Sequence, residues 1–385
     1  MKNNSIYLDF AATTPLDEQV FQAMTPYFSG KFGNPSSNHR FGQEAENAID
    51  QSRELVANCL GGRYEEIIFT SGGTESDNLA LRGIVLEYFK TKGMCHLLVS
   101  PVEHPAILNT AKALRDDGLC ELEFLSVDQD GLVDPDEVKT RLRPNTALVS
   151  VIYGNNEIGS VNPIPAIGKI CRENGVLFHT DAVQASAHIP IDVEKMYIDL
   201  MSIGAHKFYG PKGIGVLFAR RGIALASAIT GGKQENGHRA GTSNVPYIVG
   251  LAEALKLVQT DSIPKASLLI EKRDRIIATV INTIQKTKLT GSKSYRLPNH
   301  ASFVFEGVDG NLLLMLLDGN GYACSSGSAC KVGNPTPSEI LLAIGLSPRW
   351  AMGSLRVTIG KTTTDQEIDS FLSALPGLVE KARKK

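Results

Sequence analysis

The chain has 385 residues, of which 42% are hydrophobic and 21% charged, with 39 basic and 41 acidic side chains for a formal net charge of -2. These proportions suit a folded chain of two or three domains and exclude disordered, collagenous and coiled-coil classes. The near-neutral balance leaves no general electrostatic footprint for nucleic acid. The longest apolar run, residues 312–317, falls far short of the ~20 residues that span a bilayer.

The opening MKNNSIYLDF carries no apolar signal core, and the expectation is a soluble, cytoplasmic protein without membrane contact. From about residue 16 to 260, short apolar runs alternate with longer segments of helical spacing. Strands are predicted at 66–70, 96–100, 121–126, 147–153, 176–180, 199–203 and 215–219, and helices at 43–59, 76–90, 105–116 and 164–174. This rhythm predicts an α/β fold with a mostly parallel seven-stranded sheet covered by helices. Near 260 the texture changes: a long helix is expected over 266–286, then strand-like runs at 301–306 and 355–359, then a C-terminal helix. The expected domains are therefore a large one at 16–260 and a smaller α+β one at 261–385, to which residues 1–15 return.

Six cysteines are scattered without Cys-x-x-Cys or zinc-like spacing, so neither a metal site nor a disulfide framework is expected. Most of these thiols should be inert core side chains.

Ligands in open α/β sheets collect at the carboxyl ends of strands, so the residues following each strand carry the information. Ser71-Gly72-Gly73-Thr74-Glu75-Ser76 follows the first strand and opens a helix. Its small residues suit a phosphate at Gly73 and Thr74, or simply cap the helix. No Walker A loop and no Gly-x-Gly-x-x-Gly after a strand is present, which disfavours a nucleotide or nicotinamide site. Asp181 ends one strand, and the next runs into Gly204-Ala205-His206-Lys207. A carboxylate and a lysine at two strand mouths fit pyridoxal phosphate, which needs an amine for a Schiff base and an acid at its ring nitrogen. Taken singly, Asp181 also reads as a helix cap and Lys207 as a solvated side chain. His104, in Val102-Glu103-His104-Pro105, is placed to stack on a ring, to shuttle protons, or to play no special part. Asn155-Asn156 follows another strand and offers amide donors. Arg356, flanked by apolar residues, needs a partner: a substrate carboxylate or a structural acid. Cys330 sits in Ser325-Ser326-Gly327-Ser328-Ala329-Cys330, and a Gly/Asn/Pro-rich stretch follows it to Pro337. That composition predicts a mobile loop, about 324–337, with an accessible thiol; a surface cysteine or a Cys324–Cys330 disulfide are the alternatives.

Taken together, these segments resemble the cysteine desulfurase family, the NifS/IscS-like branch of the class-V, fold-type I pyridoxal phosphate transferases. The matching residues are Tyr7-Leu8-Asp9-Phe10-Ala11-Ala12, Phe32-Gly33-Asn34-Pro35, Ser71-Gly72-Gly73-Thr74-Glu75-Ser76-Asp77-Asn78, Asn155-Asn156-Glu157-Ile158-Gly159, His206-Lys207, Arg239-Ala240-Gly241-Thr242 and the segment ending in Cys330. They span about residues 6 to 372.

By that resemblance, Lys207 is the Schiff-base lysine, Asp181 the partner of the ring nitrogen, Gln184 the donor to the phenolic oxygen and His104 the stacking imidazole. Gly73, Thr74, Gly204 and His206 would surround the phosphate. Thr242 would come from a neighbouring subunit, which implies a homodimer. Asn156 and Arg356 would hold the carboxylate of L-cysteine. Cys330 would take its sulfur as a persulfide, releasing L-alanine, and pass it to a protein acceptor.

Three departures from the family pattern stand out. Gly204 replaces a usual serine, removing one phosphate hydroxyl. Cys324 replaces an apolar residue, either to resolve the persulfide or to pack. The chain ends at Lys385 without the tail of housekeeping members, which widens the expected acceptors from iron–sulfur assembly to tRNA thiolation or DNA phosphorothioate modification. Rival expectations are another fold-type I activity, such as a selenocysteine lyase or an aminotransferase, and a non-catalytic partner protein.

Overall fold

The computed structural model describes residues 5–327 and 336–383. Twelve strands are defined among them: β1 (Ile6–Tyr7), β2 (Ile67–Thr70), β3 (Cys95–Val99), β4 (Cys120–Phe124), β5 (Thr146–Ser150), β6 (Leu177–Asp181), β7 (Leu200–Gly204), β8 (Gly215–Ala219), β9 (Thr287–Leu289), β10 (His300–Phe305), β11 (Tyr322–Ala323) and β12 (Ser354–Thr358). The seven strands predicted before residue 260 are β2 to β8. They form one sheet in the order β2-β8-β7-β6-β5-β3-β4. Neighbours from β4 across to β7 pair in parallel, and β8 alone runs against them, antiparallel to both β7 and β2. The reason lies in the connections: β8 returns beside β7 after the ten residues 205–214, whereas the parallel pairs need longer crossovers.

Strands β3, β5, β7 and β8 are buried at every position. Their continuous apolar character reflects a sheet covered on both faces. Phe178, Phe208 and Phe218 are fully buried in it, and truncating any one would cost ~3–5 kcal/mol. Beside it, β12, β10 and β9 form an antiparallel sheet covered by the helices Ala266–Thr283 and Asp365–Arg383. A second core forms there around Phe303, Phe305, Phe371 and Leu8.

Leu8 belongs to the N-terminal arm, which joins the two sheets. β1 pairs in parallel with β11. The Thr358 amide then donates to the Leu8 carbonyl at 2.8 Å, and the Ala11 amide to Thr358 Oγ1 at 2.9 Å. Three residues on, the Thr14 amide donates to the His206 carbonyl, and Thr14 Oγ1 accepts from the Tyr209 amide at 2.7 Å. The arm thus spans the boundary where β7 ends. No described helix is long and apolar enough to cross a membrane.

Candidate active site

The carboxyl ends of β2, β3, β5, β6 and β7 open onto one cavity of about 310 Å³, walled by Gly73, His104, Asp181, Gln184, Lys207 and Arg356. The sheet explains the convergence: with β4 on one side of β3 and β5 on the other, the loops after the strands part and leave a crevice.

At one end, the helix Gly73–Lys92 starts with no side chain capping its first turn. Gly72 has φ 153, a conformation that side-chain-bearing residues rarely adopt. A Cβ on Gly73 would lie 2.7 Å from Val183 Cγ2. Free amides and the positive end of the helix dipole thus face the cavity without side chains in the way. His206 lies alongside, its Nδ1 3.2 Å from Thr13 Oγ1. Burial, with Lys207 and Lys212 nearby, pushes it down to about 4, so it is neutral at pH 7. At Gly204, a Cβ would meet nothing closer than the Gly73 amide at 3.5 Å.

Lys207 is half-buried and donates to the carbonyls of Ala11 and Ala12, each at 2.8 Å. It is not the solvated lysine of the bland alternative. Burial and the Arg356 charge push its pKa down to about 8, against the pull of Asp181 and Asp9. Asp181 is buried at the end of β6 and accepts the Val183 amide at 2.8 Å. Burial raises its pKa, while His104, that amide and Lys207 work the other way. His104 caps the helix Pro105–Asp116, its Nδ1 accepting the Ala106 amide at 3.1 Å. The neutral ring therefore carries its hydrogen on Nε2. Gln184 donates to the Ala11 carbonyl at 2.8 Å.

At the other end, Arg356 donates to Asp9 Oδ1 at 2.8 Å and to the Asn156 carbonyl at 3.0 Å, leaving its buried Nε without a partner. The Asn156 side-chain Oδ1 is likewise buried and unpartnered. Asn155, by contrast, is spent on structure, holding the Val102 carbonyl and the amides of Glu157 and Ile158.

Two expected site residues fall outside this group. Thr242 is exposed and lines a separate depression of about 220 Å³ beside Arg239. Cys330 lies outside the described residues. Cys324 is half-buried, packs against the second core, and has its thiol pushed up by burial, which favours packing over redox work. The residues that sequence reasoning passed over are Asp9, the Ala11 and Ala12 carbonyls, Asp77 and Glu103. Each stands inside a motif block quoted above, but none announces a ligand by its type.

Pyridoxal phosphate fits these residues. The uncapped helix start at Gly73 would take its phosphate, the buried Asp181 carboxyl its ring nitrogen, and the Lys207 amine, of lowered pKa, its aldehyde carbon. Orphaned oxygens on Asp77 and Asn156, both of which line the cavity, mark a polar space that protein groups alone do not satisfy. A largely parallel sheet with a lysine and an acid at its strand mouths defines the fold-type I class of pyridoxal phosphate enzymes.

Comparison with known proteins narrows this. The profile described as Aminotransferase class-V matches residues 6–371. The cysteine desulfurase IscS of Dictyoglomus turgidum is 45% identical over 378 residues, 98% of this chain and 95% of that protein. A solved NifS-like protein superposes with a TM-score of 0.90 at 34% identity, covering 98% of this chain and 100% of its own. The structure of SspA in complex with cysteine superposes with a TM-score of 0.81 at 36% identity, covering 92% and 98%. The chain belongs to the class-V aminotransferase family and, with these relatives, to its cysteine desulfurase branch.

Proposed function

We propose that this chain is a pyridoxal-phosphate-dependent cysteine desulfurase that takes sulfur from L-cysteine onto Cys330 and releases L-alanine. The observation that carries the reading is the convergence of Lys207, Asp181, the uncapped helix at Gly73 and the Arg356–Asn156 pair on one cavity. Cys330 itself enters through its sequence context and the relatives, one of which is a complex with cysteine.

Bound cofactor supplies a sink for the electron pair left when the substrate Cα loses its proton. The protein's part follows from its side chains. Asp181 would keep the ring nitrogen protonated, Gln184 would serve the phenolic oxygen, and His104 would stack on the ring. Gly73, Thr74, Gly204 and His206 would hold the phosphate. Arg356 and Asn156 receive the substrate carboxylate, using the Arg356 Nε and the Asn156 amide. Lys207, with a pKa of about 8, has enough neutral amine near pH 7 to take the Cα proton and return it. The Cys330 thiolate attacks the substrate sulfur: an S–S bond forms, the Cβ–S bond breaks, and the pair left on Cβ is protonated on the way to alanine. A thiol reductant or an acceptor protein's cysteine then removes the sulfur.

Two further expectations stay with this reading. Thr242 completes the phosphate site of a second copy in a homodimer. Its exposure outside the cavity supports this, as do the exposed rings of Phe28, Phe32 and Phe41. The free thiols suit the reducing cytoplasm.

The test is release of alanine and sulfide from L-cysteine by purified protein with pyridoxal phosphate and dithiothreitol. Equal catalytic yields, both lost in Cys330→Ala, are expected. Wild-type rates of both products from Cys330→Ala would overturn the sulfur-transfer step.

A further inference from the structure

Beneath Asp181 lies a polar chain that the reaction above does not use. Residues two apart on a strand share a face, so His179 and Asp181 on β6 point the same way. In register, His179 pairs with Ser150 of β5 and Asp181 with Ser202 of β7. The His179 ring bridges the two serines, with Nδ1 2.9 Å from Ser150 Oγ and Nε2 3.1 Å from Ser202 Oγ. Above that ring, Asp77 descends from the first turns of the helix Gly73–Lys92, its Oδ1 3.7 Å from His179 Nε2. Asp77 lines the cavity, is 1% exposed, and its Oδ1 has no hydrogen-bond partner. One atom each from Asp77, His104 and Asp181 lie within 4.8 Å of one another. Glu103, also fully buried, holds the Ile152 amide with one oxygen and leaves the other orphaned.

Three carboxyls buried together at the carboxyl end of the sheet cannot all ionise. The groups facing them decide which one does. Asp181 has an amide donor at its oxygen and the basic groups His104 and Lys207 nearby. Asp77 faces His179, which burial pushes down to about 3 and so keeps neutral. Burial and the Asp181 charge raise Asp77 and Glu103 well above the carboxylate range.

We propose that Asp77 is a positioning residue for the cofactor ring: a neutral acid, fixed by the Ser150–His179–Ser202 chain, that supports Asp181 as the one anion at the ring nitrogen. This rests on the reading that the cavity holds pyridoxal phosphate. Asp77 touches no substrate. It acts through Asp181, no more than 4.8 Å away, as a neutral polar neighbour that withholds a second negative charge.

The experiment compares wild type with Asp77→Asn, which keeps a neutral donor of the same shape, and Asp77→Leu, which removes it. Apo protein is reconstituted with pyridoxal phosphate to obtain a dissociation constant, and the visible band of the reconstituted protein is titrated with pH. The Asn variant is expected to bind within about threefold of wild type with an unmoved pH midpoint. The Leu variant should bind about 10-fold more weakly, because it leaves the buried Asp181 charge beside an apolar side chain in place of a polar one. Its midpoint should move upward, because a ring nitrogen less firmly protonated withdraws fewer electrons from the Lys207 linkage.

Loss of affinity in the Asn variant would overturn the proposal, since Asp77 would then act as an anion. So would a Leu variant that matches wild type. If the Leu variant fails to fold, the Asn result decides alone. Wild-type protein that takes up no pyridoxal phosphate would instead overturn the cofactor reading itself.

Discussion

The floor and the rim of the cavity are built from different material. Asp181, His179 and Ser202 stand on adjacent strands of the doubly covered sheet, in register and fully enclosed, so moving one means breaking a ladder. Arg356, Asp9 and the Ala11–Ala12 carbonyls come from β12 and the arm, and a single ion pair and a few backbone bonds hold them together. Both sides are buried, β12 at every position. On the proposed reading, the floor of one large sheet carries the groups for the cofactor ring, and the seam between the arm and β12 carries those for the substrate carboxylate.

That division can be broken by mutation. Asp181→Asn attacks the floor and should lower kcat for alanine formation about 10²–10³-fold, as losing a preorganised charge at the reacting centre does. Its KM for cysteine should change little; a pure KM effect would place Asp181 with the substrate. Arg356→Ala attacks the rim. KM should rise about 10–10²-fold, the scale of a lost charged hydrogen bond, with the visible spectrum of bound cofactor unaltered.

A third test needs no cofactor. Below its pKa of about 8, Lys207 is mostly protonated and unreactive, so its neutral fraction grows tenfold for each pH unit up to that point and then levels. Labelling of cofactor-free protein with trinitrobenzenesulfonate, followed by peptide mass spectrometry, should show that plateau at Lys207. Ordinary surface lysines keep rising toward about 10.4. The smallest effect sharpens the floor. Gly204→Ser fits without a clash, since its Cβ would stand 3.5 Å from the Gly73 amide. The added hydroxyl should tighten pyridoxal phosphate binding about threefold to tenfold, measured by reconstitution.

How far the sequence reaches follows the same line. The inner strands of the large sheet are legible because burial on both faces makes them short apolar runs bounded by turn residues, and the edge strand β4 because Glu121 and Glu123 alternate with apolar residues. Their observed limits differ from the expected ones by no more than three residues. Lys207, Asp181 and His104 stand out because each is a polar residue just past such a run. The rim is harder to see. β1 and β11 have two residues each and exist only through pairing with each other, so neither has a local pattern. A backbone carbonyl carries no residue identity, which hides the partners of Lys207. Asp77 reads as a surface residue on a helix until the sheet beneath it is known. His179 reads as a strand residue until its two serines are brought alongside.

The arm that closes the rim also fixes a timetable. Asp9 and Arg356 are 347 positions apart. At roughly 5–20 residues per second, a ribosome releases the first about 20–70 s before the second. During that interval β2 to β8 are already out and can assemble, while the arm has neither β11 nor β12 to join. On the proposed reading, the strands that carry the groups for the cofactor ring leave the ribosome before the Arg356 strand that seats the substrate carboxylate.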